Sequence, residues 1–394
     1  MPLDVQAWSA IVFFILLGFW VILNRKKIHI QKILFPLLYI AMYRTKIGLR
    51  FMDKAGRRFP RFMRIIGSIG VAVGFLGMIF ISFALIQNMY QLFTKPEAVP
   101  GVGLVLPFEA KGVFYVPFFY WIVSIFIIAA VHEFSHGILA RTYNMKIKSS
   151  GFAIFGILIP ILPAAFVEPD EKEMQKRPKH EQLSVFAAGP FSNILLALIA
   201  LLAFGFLAPP IVNSIVDFNG VIVEDFAKGD FPAEAAGIQR GEIIQSIDQM
   251  PIEYTSNFTQ ALESKKAGDA IQLKTNKGGY TIKLAEHPDD SGKAYLGIFV
   301  KQSKVIREGV REKVGSALPS FALWLMGLFY WLYLLNFGIG LFNLVPIGPI
   351  DGGRMLLAAL EKYFPQEQAH RIWKGVGAFF LALVAVNVLA AFIL

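Results

Sequence analysis

His132, Glu133 and His136 stand inside Val113–Ala140, a stretch with no other charged side chain. On a helix, positions i and i+4 lie one above the other, so both imidazoles can offer a nitrogen to a single cation. Glu133 projects about a quarter-turn aside, next to the open coordination position rather than in it. The chemistry such a set offers is hydrolysis, with a cation-acidified water and a carboxylate to take its proton. A five-residue match can arise by chance, and a lone histidine in a span is often a packing residue. In lipid, however, a charge at mid-helix costs ~3 kcal/mol even on the lenient insertion scale, so ionisable groups there point to function.

A third donor comes late in the chain. From Val314 to Ile350 no side chain is charged, and then follows Asn343-Leu344-Val345-Pro346-Ile347-Gly348-Pro349-Ile350-Asp351-Gly352-Gly353-Arg354. The two prolines end a helix and free its carbonyls, which at membrane depth is tolerated only inside protein or a wet cavity. Two imidazoles and the Asp351 carboxylate, with a fourth position open to water, form a hydrolytic zinc site holding one ion per chain. Asp351 can also N-cap the helix opening at Gly352, a use compatible with ligation, which is favoured because an acid here is costly without a cation.

The elements that must carry these residues are apolar. Of 394 residues, 55% are hydrophobic and mean hydropathy is +0.55, too oily for a soluble domain. Runs near twenty residues can each cross the ~30 Å hydrocarbon layer. They predict spans at 8–24, 65–92, 114–140, 183–208, 316–343 and 374–394. The run 33–43 is too short to span and is expected at the interface. Met1-Pro2-Leu3-Asp4 lacks the charged region and cleavage site of a secretory signal, so the first span is expected to be retained.

The net charge of +10 follows topology rather than a nucleic-acid footprint. Residues 25–64 carry twelve Lys/Arg against Asp53 alone, whereas 93–113 carry two of each sign. The positive-inside rule then puts 25–64 in the cytoplasm, 93–113 outside and both termini outside. The basic stretch 44–64, interspersed with Phe51, Phe59 and Phe62, is expected on anionic headgroups, so lipid and not nucleic acid is the expected partner. The absence of cysteine excludes disulfides and any thiolate ligand or nucleophile.

Composition shifts between the fourth and fifth spans. Residues 211–293 contain thirteen acids and eight bases, with turn signals at Phe218-Asn219-Gly220, Ala267-Gly268-Asp269 and Lys277-Gly278-Gly279. Short β-rich runs at 221–223, 243–247, 271–274 and 280–284, with helical stretches near 232–236 and 256–264, predict a soluble α+β module. Phe231 through Ile244 resembles the PDZ signature of bacterial and archaeal proteases, with Gly237 and Gly241 at tight turns. Tyr295-Leu296-Gly297-Ile298 resembles the carboxylate-binding loop of permuted PDZ domains. That resemblance implies either capture of a peptide terminus beside a strand open to β-addition, or a steric filter. Residues 301–315 are expected as an amphipathic connector re-entering the bilayer. The expected organisation is an N-terminal span and basic region over 1–64, a membrane core over 65–208, an extracytoplasmic PDZ-like domain over 211–300, and a connector with the C-terminal membrane core over 301–394.

Three elements together resemble the site-2 protease family of intramembrane metalloproteases. His132 through His136 matches its HExxH element and Gly189-Pro190-Phe191-Ser192-Asn193 its Gly-Pro-x-x-Asn element. Asn343 through Gly353 matches its NxxPxxxxDG element, with Ile350 where leucine is usual. The resemblance covers essentially the chain beyond residue 60. It implies a polytopic α-helical membrane protein of about six transmembrane helices, with re-entrant segments, in the cell membrane. It further implies zinc as cofactor, Glu133 as base and transmembrane proteins as substrates. Asn193 and Asn343 would handle substrate backbone or the oxyanion; an amide in lipid also needs a packing partner, and both uses stay open. Asn336 is read as packing. Gly151 through Gly156, with Pro160 and Pro163, resembles the family's re-entrant β-type loop, where an extended substrate could pair. Glu168 through Glu171 is expected as a solvated loop.

A transmembrane helix hides its carbonyls in i to i−4 bonds, so cleavage is expected where Gly, Asn or Pro weakens a substrate helix, towards its cytoplasmic end. Two other readings fit parts of the pattern. A transporter or metal carrier needs polar residues staggered through the bilayer, whereas these cluster at one depth. A non-proteolytic scaffold bearing a PDZ-like module has no need of intact site elements.

Overall fold

Among the described residues, six helices of 19 to 37 residues are long and apolar enough to cross a membrane: Val5–Leu23, Pro60–Thr94, Phe118–Thr142, Lys179–Ile215, Ala317–Phe342 and Gln366–Ile393. The computed structural model describes residues 5–34, 38–95, 98–157, 159–227, 229–288 and 290–393. Met1 through Asp4 and positions 35–37 of the 33–43 run lie outside the described residues. The chain divides into two units, residues 1–204 with 327–394, and residues 205–326.

In the first unit, Phe118–Thr142 starts after Pro117, and the chain turns beyond its end at Asn144, in the left-handed region at φ 58°. The short helix Leu49–Arg58 packs against it. Met52 is fully buried over Gly137, and Asp53 Oδ1 lies 3.0 Å from Arg141 Nε. Met52 and Gly56, one turn apart, form a narrow stripe buried in the protein, while Phe51, Phe59 and Phe62 stay exposed.

The run expected at the interface is β-structure on both sides of 35–37. Ile28–Leu34 pairs antiparallel with Leu38–Thr45, which pairs with Ile147–Ile157, which pairs with Ile159–Pro169. Tyr39, Ile40 and Tyr43 suit a pleated strand, and the later hairpin supplies the ladder partners that local sequence does not reveal. The stretch around Gly151–Gly156 forms one arm of that hairpin, as the β-type loop predicts, and Ile159–Pro169 is an edge strand.

After Ala317–Phe342 the chain breaks at Pro346 and Pro349 and resumes as Asp351–Tyr363, then Gln366–Ile393 just past Pro365.

The second unit holds a sheet ordered Gly279–Lys283, Ala270–Thr275, Ile243–Ile247, Val216–Phe226, Ile298–Ile306, with Met250–Pro251 beside Ile243–Ile247. Helices Pro232–Ala235 and Thr255–Glu263 accompany it, close to the stretches the sequence predicts. Strand Ala270–Thr275 alternates strictly, with Ile271, Leu273 and Thr275 inward. Val221, Ile244, Ile247, Ile282 and Leu296 complete an apolar core. Gly237 and Gly241 take φ of 87° and 84°, the turns their residue type predicts. The connector expected from 301 is strand as far as Ile306, paired with Val216–Phe226, and helix only over Glu308–Val314. The unit is a PDZ-like α+β domain, and the whole chain a polytopic helical membrane protein.

Candidate metal centre

One helical turn brings His132 and His136 together edge-on, with their Nε2 atoms 3.1 Å apart. Asp351 Oδ2 lies 3.1 Å from His132 Nε2 and 3.2 Å from His136 Nε2. All three side chains are largely buried, and the three ligand atoms form one group. Asp351 is the first residue of its helix; Ile350 stands at the cap with no side-chain cap bond, so the carboxylate is turned to the histidines. The loop before it is closed by its own backbone. Gly352 N–H donates to Asn343 O over 2.7 Å, Ile347 N–H donates to Val345 O over 2.7 Å, and Trp373 Nε1 donates to Gly353 O over 2.9 Å. These bonds answer the donors and acceptors that Pro346 and Pro349 strip from a regular helix.

The donor set fits a divalent cation. Donors ~2.0–2.1 Å from a tetrahedral zinc stand ~3.3 Å from one another, close to the separations here. Gly189 supplies a second observation. A Cβ at that position would stand 2.4 Å from His136 Nε2 and 2.5 Å from His132 Nε2, so the chain leaves empty the volume that any side chain would fill beside both donors.

Glu133 points to another neighbour. Its Oε2 accepts the backbone N–H of Val167, in the edge strand, over 2.7 Å. His132, Glu133, Asp351 and Asn343 line one cavity of about 1320 Å³, whose wall continues to Arg44, Glu168, Lys179 and Glu361. Glu168 is thus part of a polar wall and not the solvated loop expected from sequence. It accepts Ser149 Oγ at 2.6 Å and Arg44 Nε at 3.2 Å, because the hairpin carries Ser149 opposite it and the neighbouring strand carries Arg44. The Ser149 hydroxyl, helped by the Arg44 guanidinium, holds the Glu168 carboxyl below its ordinary range despite partial burial.

The remaining candidates fall in different surroundings. Asn193 is fully buried, with its amide nitrogen 3.1 Å from Nδ1 of His132, the ring nitrogen turned away from the cluster. Asn343 lines the cavity, and its side chain makes no hydrogen bond among the described residues. Asn336 donates to Leu332 O over 2.7 Å within its own helix, consistent with packing. In the second unit, Tyr295 stacks edge-on with Phe231 and His287, Leu296 is buried, and Ile298 opens the edge strand Ile298–Ile306. The Gly297 and Leu296 carbonyls accept from Ala227 and Ala233. Sequence reasoning named Gly189 only within the Gly-Pro-x-x-Asn element, and missed the Val167 N–H and the Val185 carbonyl, which lies 2.7 Å from His136 Nδ1. Backbone groups leave no signal in side-chain identity. Gly189 did leave one, since a Gly-Pro pair inside an apolar helix costs stability and needs a reason.

The sequence model of peptidase family M50 matches residues 120–384. An uncharacterized protein of Methanocaldococcus jannaschii is 27% identical over 352 residues, 87% of this chain and 84% of that protein. Zinc metalloprotease RasP of Shouchella clausii is 20% identical, over 50% of this chain and 55% of its own length. A membrane-bound transcription factor site-2 protease homolog of Arabidopsis thaliana is 25% identical, over 57% of this chain and 42% of its own length. The match therefore spans about half of each of these two named proteases. A solved PDZ domain of an SdrC-like protein from Listeria monocytogenes is 27% identical, covering 21% of this chain and 88% of that one, with a TM-score of 0.19. The family match takes in both the HExxH helix and the Asp351 loop, and on it the chain belongs to peptidase family M50, the site-2 protease family of membrane metallopeptidases.

Proposed function

We propose that the protein is a zinc-dependent intramembrane endopeptidase that hydrolyses peptide bonds in or near transmembrane helices of other membrane proteins. The observation that carries this reading is the convergence of His132, His136, Asp351 and Glu133 on one cavity. The two imidazoles and Asp351 would hold one zinc ion, whose chemistry is a water acidified towards a pKa of ~7 and polarisation of the scissile carbonyl.

The chain's own residues do the rest. Glu133 takes a proton from the attacking water and returns it to the leaving amine. The Val167 N–H holds one Glu133 oxygen, which leaves the other to receive that proton. An unwound substrate segment can add to the free edge of Ile159–Pro169, so that its backbone groups are satisfied while its peptide bond is exposed. Asn343, unpartnered and in the cavity wall, is suited to donate to the substrate carbonyl. The cavity would admit the water that hydrolysis consumes.

The charge distribution supports a cell-membrane topology with residues 25–64 in the cytoplasm and the PDZ-like domain, 211–300, outside. That domain then meets substrate ends on the outer side, through Tyr295 to Ile298 and the adjoining strand, as a filter or by capture of a peptide terminus.

The test is cleavage of a single-span substrate by protein reconstituted in lipid, with products weighed by mass spectrometry. Cuts within the span, shifting when a Gly, Asn or Pro is moved along it, support the proposal. Cuts confined to soluble flanking segments would refute the intramembrane assignment.

A further inference from the structure

The Lys179–Ile215 helix turns one face, positions 185, 189 and 193, towards the histidine pair. Val185 O lies 2.7 Å from His136 Nδ1, Gly189 leaves room beside both Nε2 atoms, and the Asn193 amide lies 3.1 Å from His132 Nδ1. Three positions four apart thus back two histidines four apart, turn against turn.

A histidine that binds a cation through Nε2 carries its proton on Nδ1, and that N–H needs an acceptor. Val185 O is such an acceptor for His136. At His132 the facing atom is an amide nitrogen, a donor, while Asn193 Oδ1 is buried with no partner. Oxygen and nitrogen of an amide are told apart only through their hydrogen bonds. Turning the amide over puts Oδ1 on the Nδ1–H and removes the meeting of two donors. The NH2 group then takes the buried place of Oδ1. Gly340 lets the Ala317–Phe342 helix approach here: a Cβ at 340 would stand 3.2 Å from Asn193 Cβ, so that close packing holds the asparagine in place.

We infer that Asn193 is a positioning residue of the metal centre: its amide oxygen accepts the Nδ1–H of His132 and so holds Nε2 towards the cation, as the Val185 carbonyl does for His136. This role rests on the zinc reading above and replaces the contact with substrate or oxyanion expected for Asn193 from sequence. Its amide meets the ring nitrogen turned away from the cluster, not the open coordination position.

The test compares full-length wild type, Asn193→Leu and Asn193→Asp in detergent. Zinc affinity is read by competition with a chromogenic chelator, and thermal unfolding is read on the metal-free protein. Leucine, which keeps the volume but removes the acceptor, is expected to weaken zinc binding ~10–100-fold. Aspartate, which keeps an acceptor, is expected to hold zinc at least as tightly as the amide. A purely structural role would lower the metal-free unfolding temperature of both variants and would not separate them in zinc affinity. Wild-type affinity in Asn193→Leu, or an aspartate variant as weak as the leucine one, overturns the inference and leaves the proposed function standing. A wild-type protein that binds no zinc refutes the proposed function itself. If Asn193→Leu fails to fold, Asn193→Asp is read against wild type, and zinc bound more weakly than by wild type overturns the inference.

Discussion

The backbone N–H of Val167 donates to Oε2 of Glu133 over 2.7 Å, tying the proposed base to the edge strand of the four-stranded sheet. Because that N–H goes to Glu133 and not to the neighbouring strand, a proline there removes the contact without breaking a ladder bond. Val167→Pro is expected to lower kcat by ~10²-fold through misplacement of the base, with zinc content unchanged. Unaltered kcat in a zinc-loaded variant would show that Glu133 needs no such anchor.

Gly189→Ala tests the space beside the histidines. The added methyl carbon would stand 2.4 Å from His136 Nε2 and 2.5 Å from His132 Nε2, well inside van der Waals contact. One histidine must therefore swing away, and zinc should bind at least ~10-fold more weakly. Metal analysis after dialysis against a weak chelator checks this, and full zinc retention would contradict it.

Met52→Ala tests whether the Leu49–Arg58 helix supports the HExxH helix or only lies beside it. Met52 is completely buried, so its truncation should cost about 2–5 kcal/mol. Chemical unfolding in detergent micelles reads the change. A cost within error of zero would mean the contact collapses without penalty.

The natural chain contains no cysteine, so single introduced cysteines report sidedness cleanly. Lys277→Cys, on the PDZ-like domain, should react with a membrane-impermeant maleimide on intact cells. Lys54→Cys should react only after permeabilisation. The reverse pattern would invert the proposed topology.

Hydropathy located all six long helices, but not their polar ends. Gln366 through Lys374 and Pro60 through Arg64 are helical although they are not apolar, because hydropathy marks lipid contact and a helix continues past it. His132, His136 and Asp351 were legible because charge is costly in an apolar stretch and the i, i+4 spacing is geometric. The Leu38–Thr45 strand was not legible, since one of its two partner strands lies about a hundred residues later in the chain. The surroundings of Asn193 were not legible for a related reason. Its residue type announced a buried polar group, but only the fold shows that it faces the back of the His132 ring.

The most direct measurement pairs zinc content with cleavage in wild type and Glu133→Gln, both reconstituted with a single-span substrate. Glu133 stands beside the cluster and is not among the three donors, so the variant should keep one zinc per chain and lose cleavage. Cleavage that persists in the zinc-loaded Glu133→Gln protein, or in a wild type stripped of zinc, would contradict the account.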